Sequence, residues 1–235
     1  MSEVFETKSE ARDWVWSVLR EQGAARFPFP VKGRIPNFDG AKEAAQRLIN
    51  HPIFADVHAI KCNPDSPQKY LRQAALERGI TVYIPTPRLK GGFMRLDPAA
   101  IDPSNYADAS MLSRMEPHTQ AIALDDFPQV DLIVTGCVAV TRAGKRCGKG
   151  EGYSDLEAAI LNELGLEPVP IVTTVHDLQV VADFPTDAHD IELSVIVTPS
   201  EVIETGAAVK RASLDWDSLS SEDLEEMPLL KQLAK

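Results

Sequence analysis

Short apolar runs alternate with helix-patterned stretches along these 235 residues, and that alternation limits the fold more than any other feature. The runs at 57–61, 81–85, 131–135, 170–174 and 193–197 are brief and rich in Val, Ile and Thr, as buried strands are. Between and before them lie helical patterns. Ala11, Trp14, Val15, Val18 and Leu19 recur at helical spacing, with Thr7 and Glu10 in capping-box positions and Gly23 as a stop. That apolar stripe is expected to dock on the sheet. Residues 41–50 form a second helix; Ser66 as N-cap and Pro67 at the first position open a third, running through Leu71, Ala74 and Ala75 to Gly79. Leu156, Ala159, Ile160 and Leu164 mark a fourth, ended by Gly165. Strands that alternate with helices need crossover connections. The expected fold is therefore α/β, one domain with a largely parallel sheet covered by helices on both faces, in three layers.

Ligands on such sheets sit beyond the carboxyl ends of the strands. This places 63–65, 86–95, 136–155 and 174–177 at the functional edge. The most informative of these is 142–155, which packs glycines and the cations Lys145, Arg146 and Lys149 into a loop just ahead of a helix. Glycines let a backbone approach an anion closely, and a helix N-terminus adds a partial positive charge. The loop is built to hold phosphate, or else is a flexible surface turn. It is not the general phosphate loop, since three residues rather than four separate Gly144 from Gly148 and Gly150 follows Lys149. Nor do Gly148, Gly150 and Gly152 give the dinucleotide spacing. Lys8 and Arg12 lie one turn apart on the first helix, on a face that meets either phosphate or solvent.

Composition narrows the partners. Asp and Glu outnumber Lys and Arg by 35 to 24, a net charge of −11 that argues against nucleic acid as a general partner. Three cysteines in no CxxC spacing indicate neither a disulfide framework nor a zinc site. No window holds eighteen apolar residues, and the first residues carry no basic or apolar leader pattern, so no membrane is expected and the location is cytoplasmic, as monomer or homodimer. His176-Asp177 looks like a base with its orienter, but no Gly-x-Ser-x-Gly elbow supplies a nucleophile. The remaining histidines are isolated, and each reads as structural.

Arg146 followed by Gly148-Lys-Gly-Glu-Gly-Tyr-Ser-Asp155 is similar to the Gly-Arg-Gly-Lys-Gly-Tyr-Tyr-Asp signature of the 5-formyltetrahydrofolate cyclo-ligase, or methenyltetrahydrofolate synthetase, family. Lys8-Ser-Glu-Ala-Arg12 resembles that family's Lys-x-x-x-Arg, and residues 25–40 resemble its divergent branch of methenyltetrahydrofolate synthetase domain-containing proteins. The resemblance spans roughly 8–200. It implies an ATP- and Mg2+-dependent enzyme that converts 5-formyltetrahydrofolate to 5,10-methenyltetrahydrofolate. It assigns the nucleotide to Lys8, Arg12, Arg146, Gly148, Lys149, Gly150, Gly152 and Tyr153, and catalysis to Arg146, Lys149 and Tyr153. Magnesium falls to Asp155, although an Asp in a first helical turn is also favoured for the dipole alone. The small-molecule substrate would meet Asp65, Tyr153 and Phe93, the last on a loop at 90–95 that otherwise reads as an ordinary hairpin tip. Glu151 stands where the signature has Lys, and Ser154 where it has a second Tyr. An ATP-dependent enzyme for another small acid or heterocycle, or a non-catalytic nucleotide-binding regulator, are the alternative readings.

The chain divides at residue 205, with 206–235 as an acidic C-terminal extension. Residues 214–227 carry six carboxylates and no Lys or Arg, so the extension is expected to be peripheral, even though Trp216, Leu219, Leu224, Leu229 and Leu230 give it one apolar side. On that reading, truncation after Thr205 leaves folding and ATP binding intact.

Overall fold

The five apolar runs become the five parallel strands of one sheet. The computed structural model describes residues 3–86, 89, 91–150, 152–214, 216, 230 and 233, without the side chains of Tyr153 and Ser154. In chain order the elements are α1 (Lys8–Glu21), β1 (Ala25–Arg26), β2 (Asn37–Phe38), α2 (Ala41–Ile49), β3 (Ala59–Cys62), α3 (Lys69–Glu77), β4 (Thr81–Pro85), β5 (Phe93–Leu96), α4 (Tyr106–Ala109), β6 (Gln120–Ile122) and β7 (Leu132–Val134). There follow β8 (Ala139–Thr141), β9 (Arg146–Cys147), α5 (Tyr153–Glu163), β10 (Ile171–Thr174), β11 (Val180–Val181), β12 (Val195–Val197) and β13 (Val202–Glu204).

Among the described residues, eight strands form the main sheet in the order β13-β12-β10-β7-β3-β4-β5-β6. The inner run from β12 to β4 is parallel, while β13 on one edge and β5 and β6 on the other are antiparallel. Those antiparallel edges were not anticipated, because short half-exposed strands carry little periodic signal. From β3 the chain steps to β4 on one side and later returns to β7 on the other. The order therefore reverses between β3 and β7, the place where parallel sheets open a crevice for ligands.

Side chains alternate across this sheet with the strand period of two. Ile60, Val82, Val134, Val172, Val195 and Val197 join the core under α2 and α3, whereas Tyr83, Ile133, Ile171 and Ile196 join the core under α5. Small residues Ala41, Ala44 and Ala45 let α2 sit close, and buried Leu48 and Ile49 complete its face. Each such large apolar side chain contributes about 1.5–3 kcal/mol of burial. Helices thus cover both faces as expected.

Three local expectations are corrected. First, α1 does not dock on the main sheet. A hairpin of β8 and β9 is inserted between β7 and α5, pairs with β11 in a second sheet, and offers Val138, Ala139, Cys147 and Val181 to Ala11, Val15 and Leu19 of α1. Second, Ser66 begins a 3-10 turn over Ser66–Gln68 instead of capping the helix, and α3 starts at Lys69. Third, Phe93 does not face a ligand. It pairs with Pro85 in the β4–β5 hairpin, is 1% exposed, and packs 4.5 Å from the ring of Phe127. The same hairpin sets Arg95 beside Gln120 and Asp97.

The packing also continues past residue 205, where the sequence suggested a peripheral extension. Leu214 and Leu230 are buried in the core under α5, and Ala212 N–H donates to Asn162 Oδ1 at 2.7 Å. An acidic composition hid a few well-spaced leucines. We therefore expect truncation after Thr205 to lower the unfolding temperature, and Leu230→Ala alone to cost about 2–5 kcal/mol in denaturant unfolding. Unchanged midpoints in both proteins would restore the peripheral reading.

Candidate active site

The chain leaving the carboxyl ends of β3 and β4, the start of α1 and the glycines ahead of α5 border a cavity of about 1170 Å3 near the switch point. Lys8, Arg12, Asp65, Arg146, Gly148, Lys149, Gly150, Gly152 and Asp155 all line it. Sequence-distant candidates are thus brought together. Phe93 is the exception, and Glu151 and the side chain of Tyr153 lie outside the described residues.

The loop is held from behind. Arg146 is buried at 4% exposure, and its Nη1 donates to both oxygens of Asp155, at 2.8 and 2.9 Å. Its Nη2 donates to the carbonyl of Gly136 at 3.3 Å. Burial alone would lower the pKa of this guanidinium, but the adjacent Asp155 carboxylate outweighs it and raises it. Asp155 also accepts from the Ile191 N–H at 3.2 Å, so it does more than complement the helix dipole. Between these anchors Gly150 and Gly152 adopt φ of +107° and +72°, where an L side chain costs roughly 1–2 kcal/mol. A Cβ on Gly150 would sit 3.5 Å from the guanidinium carbon of Arg12.

Arg12 donates to Cys147 Sγ at 3.4 Å, and burial pushes that thiol pKa up despite the guanidinium, keeping it a packed thiol. Lys8 sits across Asp187 and Asp190, at 2.6 and 2.5 Å. Burial pulls the Lys8 pKa down, and those two carboxylates more than reverse it. Lys149 is exposed at the loop tip and close enough to Asp65 to lower its pKa.

Asp65 is the most perturbed carboxyl of the site. Burial raises it to about 6, with Glu157 pushing the same way against Lys149, Arg72 and Lys61. Its carboxylate lies over Gly136, where an added Cβ would come within 2.6 Å of Oδ2. Arg72, 1% exposed, clamps this loop by donating to the carbonyls of Asn63 at 2.5 Å, Asp65 at 3.2 Å and Ser110 at 2.7 Å. Beneath, Lys61 donates to Glu157 and, at 2.9 Å, to Asn63 Oδ1.

Sequence reasoning missed Lys61, Arg72, Glu157, Asp187 and Asp190. A signal existed for Lys61, a charged residue inside a run read as a buried strand. His176 caps a 3-10 turn, accepting from the Leu178 N–H at 3.1 Å, while Asp177 accepts from Thr198 Oγ1 at 2.5 Å. They form no base-and-orienter pair. Among the described residues no group of three His, Cys, Asp or Glu is placed to hold a metal, and no helix is long and apolar enough to cross a membrane.

Fold and site together define an α/β protein with a glycine-rich, cation-lined cavity at the switch point of a parallel sheet. The 5-formyltetrahydrofolate cyclo-ligase family matches residues 5–199, and the chain belongs to that family. The methenyltetrahydrofolate synthase domain-containing protein of Bos taurus is 40% identical over 239 residues, covering 97% of this chain and 62% of that protein. The chain thus spans about three fifths of the length of such relatives. The 5-formyltetrahydrofolate cyclo-ligase of Escherichia coli (strain K12) is 26% identical over 174 residues, covering 69% of this chain and 90% of that enzyme. The solved structure of Aquifex aeolicus 5,10-methenyltetrahydrofolate synthetase superposes with a TM-score of 0.53 over 90% of this chain and 99% of that one, at 18% identity, which is a likeness of fold.

A carboxyl whose pKa is raised from 3.8 to about 6 binds its proton more tightly in the folded than in the unfolded state. Its contribution to stability is fully present below the unfolded value and is lost as pH rises through the folded one. Asp65→Asn, which mimics the protonated form, is therefore expected to raise the melting temperature relative to the parent near pH 7.5. The gap should close as pH falls toward 4, and a gap independent of pH would show that Asp65 is not the group responsible.

Proposed function

We propose that this chain is an ATP- and magnesium-dependent 5-formyltetrahydrofolate cyclo-ligase. The observation that carries the reading is the meeting of the 148–152 loop at the N-terminus of α5 with Lys8, Arg12, Lys149 and Asp65 in one cavity. In the proposed reaction the formyl oxygen attacks the γ-phosphate of ATP and ADP leaves; the folate's secondary amine just outside the pterin ring then closes on the activated carbon, loses its proton and expels phosphate. Such phosphoryl transfer needs alignment and charge neutralisation more than a strong base.

Arg12 and Lys149 supply positive charge beside the loop amides. Lys8 joins them when phosphate oxygens take the place of Asp187 or Asp190. Arg146 acts from below, fixing Asp155 and the Gly136 carbonyl and so the path of the loop. Tyr153 keeps its assignment on the substrate side from the signature alone. Magnesium is usually held through one or two carboxylates together with the phosphates themselves. Asp155, whose oxygens accept from Arg146 and the Ile191 N–H, is the carboxylate that would hold the ion. When bound, the ion would offset charge on the phosphates. Three buried free thiols fit the reducing cytoplasm. Glu151 and Ser154 favour a second reading, ATP-dependent chemistry on a different heterocycle.

The decisive assay supplies the purified protein with ATP, magnesium and 5-formyltetrahydrofolate and follows methenyl absorbance with ADP release. We expect both signals in equal amounts. ADP release without methenyl product, on another heterocycle, would favour the second reading. Arg12→Ala and Lys149→Ala should each weaken ATP binding about tenfold, corresponding to roughly 1.4 kcal/mol. Asp155→Asn should weaken nucleotide binding in magnesium more than in chelator, and an equal loss in both would remove the ion from Asp155.

A further inference from the structure

Lys61 stands on β3 in register with Tyr83 of β4 and Ile133 of β7, two buried residues of the core under α5. An apolar side chain belongs at such a position by pattern. Lys61 is instead 1% exposed and paired with Glu157 of α5, itself 4% exposed. Taking two charges out of water is costly, and an apolar pair of the same volume is often as stable or more so. The fold alone therefore gives no reason for this pair, which directs attention to what Glu157 faces.

Glu157 and Asn63 both line the cavity. Glu157 Oε2 accepts from Lys61 Nζ and, at 3.3 Å, from Asn63 Nδ2. Oε1 takes no hydrogen bond from any described residue and is not among the fully buried unpartnered atoms, so it is left open to the cavity that Glu157 lines. Lys61 already offsets the charge of Glu157, so a cationic ligand gains little there. A neutral group with an N–H to donate gains a charge-assisted hydrogen bond at no net charge cost.

We propose that Glu157, compensated by Lys61 and oriented by Asn63, is a specificity contact at the cavity floor that accepts an N–H from a neutral amino- or amide-bearing ring of the substrate. The proposal rests on the preceding reading only in taking a heterocyclic substrate to occupy this cavity.

The test measures KM separately for 5-formyltetrahydrofolate and for ATP on the full chain. Lys61→Met with Glu157→Gln removes both charges at similar volume. Glu157→Asp keeps the charge and the lysine's partner but withdraws the acceptor by one methylene. For the double variant we expect KM for 5-formyltetrahydrofolate to rise about ten- to hundredfold, with KM for ATP within about twofold and the melting temperature at or above that of the parent. For Glu157→Asp we expect the same direction and a smaller size. A folded double variant with unchanged folate KM, or one in which both KM values rise together, overturns the proposal. Should the double variant not fold, Glu157→Asp decides by the same split. A parent protein that binds 5-formyltetrahydrofolate without turning it over is read by calorimetric Kd in place of KM. A parent that neither binds nor converts it removes both this proposal and the cyclo-ligase reading, whereas an active parent with an indifferent Glu157 removes this one alone.

Discussion

The ion pair between Arg146 and Asp155 is the interaction on which the site depends. It joins the second strand of the inserted hairpin to the first turn of α5, and through the Gly136 carbonyl it reaches the end of β7. Between these fixed points Gly150 and Gly152 take left-handed backbone conformations. A loop of that kind is entropically expensive to order, by about 1–2 kcal/mol per residue. Anchoring its two ends on one buried guanidinium confines the cost to a few residues. Arg146 is buried while Asp155 is partly exposed to the cavity, so removal of Asp155 would leave a buried guanidinium without compensation. It is therefore both a support and a vulnerability.

The inserted hairpin solves a second problem. A helix laid directly on the main sheet would have its N-terminus set by the sheet. Carried on β8, β9 and β11 instead, α1 brings Lys8 and Arg12 over the loop, and Cys147 of β9 touches both the Lys8 carbonyl and the Arg12 guanidinium. Asp187 and Asp190 then hold the Lys8 ammonium. In a chain of net charge −11, cations gathered at one place repel each other unless such carboxylates accompany them. An anionic ligand can exchange with those carboxylates at modest cost, because Asp187 is largely exposed and its pairing is screened by water.

The architecture was legible where periodicity is strong. The parallel strands were placed within one or two residues, since a run buried on both faces reads as continuously apolar. The 206–235 segment misled, because counting carboxylates says nothing about a few leucines that find a groove, and the 97% coverage of the Bos taurus match also runs past residue 199. In the site, the residues named by the loop signature converged because their chemistry is local in sequence or one helical turn apart. Phe93 failed because an aromatic after Gly-Gly fits a hairpin strand as well as a ligand wall, and the pairing with Pro85 decides between them. Lys61, Arg72 and Glu157 were invisible as a group, for nothing in the sequence says that residues up to 96 apart share one buried corner.

That corner shows how one fold can present two carboxyl groups with different character. Asp65 and Glu157 both line the cavity. Glu157 has a lysine against it in a dry setting, whereas Asp65 has only longer-range help from Lys149, Arg72 and Lys61 against its own burial and the charge of Glu157. The consequence is a carboxyl whose pKa burial raises to about 6 beside one paired directly with a lysine. Arg72 makes this arrangement possible by spending its guanidinium on backbone carbonyls of 63–65 and Ser110 and not on the Asp65 carboxylate. Were Arg72 to turn to Asp65 directly, the close opposite charge would lower that pKa, and the loop that carries the residue would lose its clamp. A cationic side chain used as a backbone clamp thus holds the loop in place and leaves burial as the main cause of the raised Asp65 pKa.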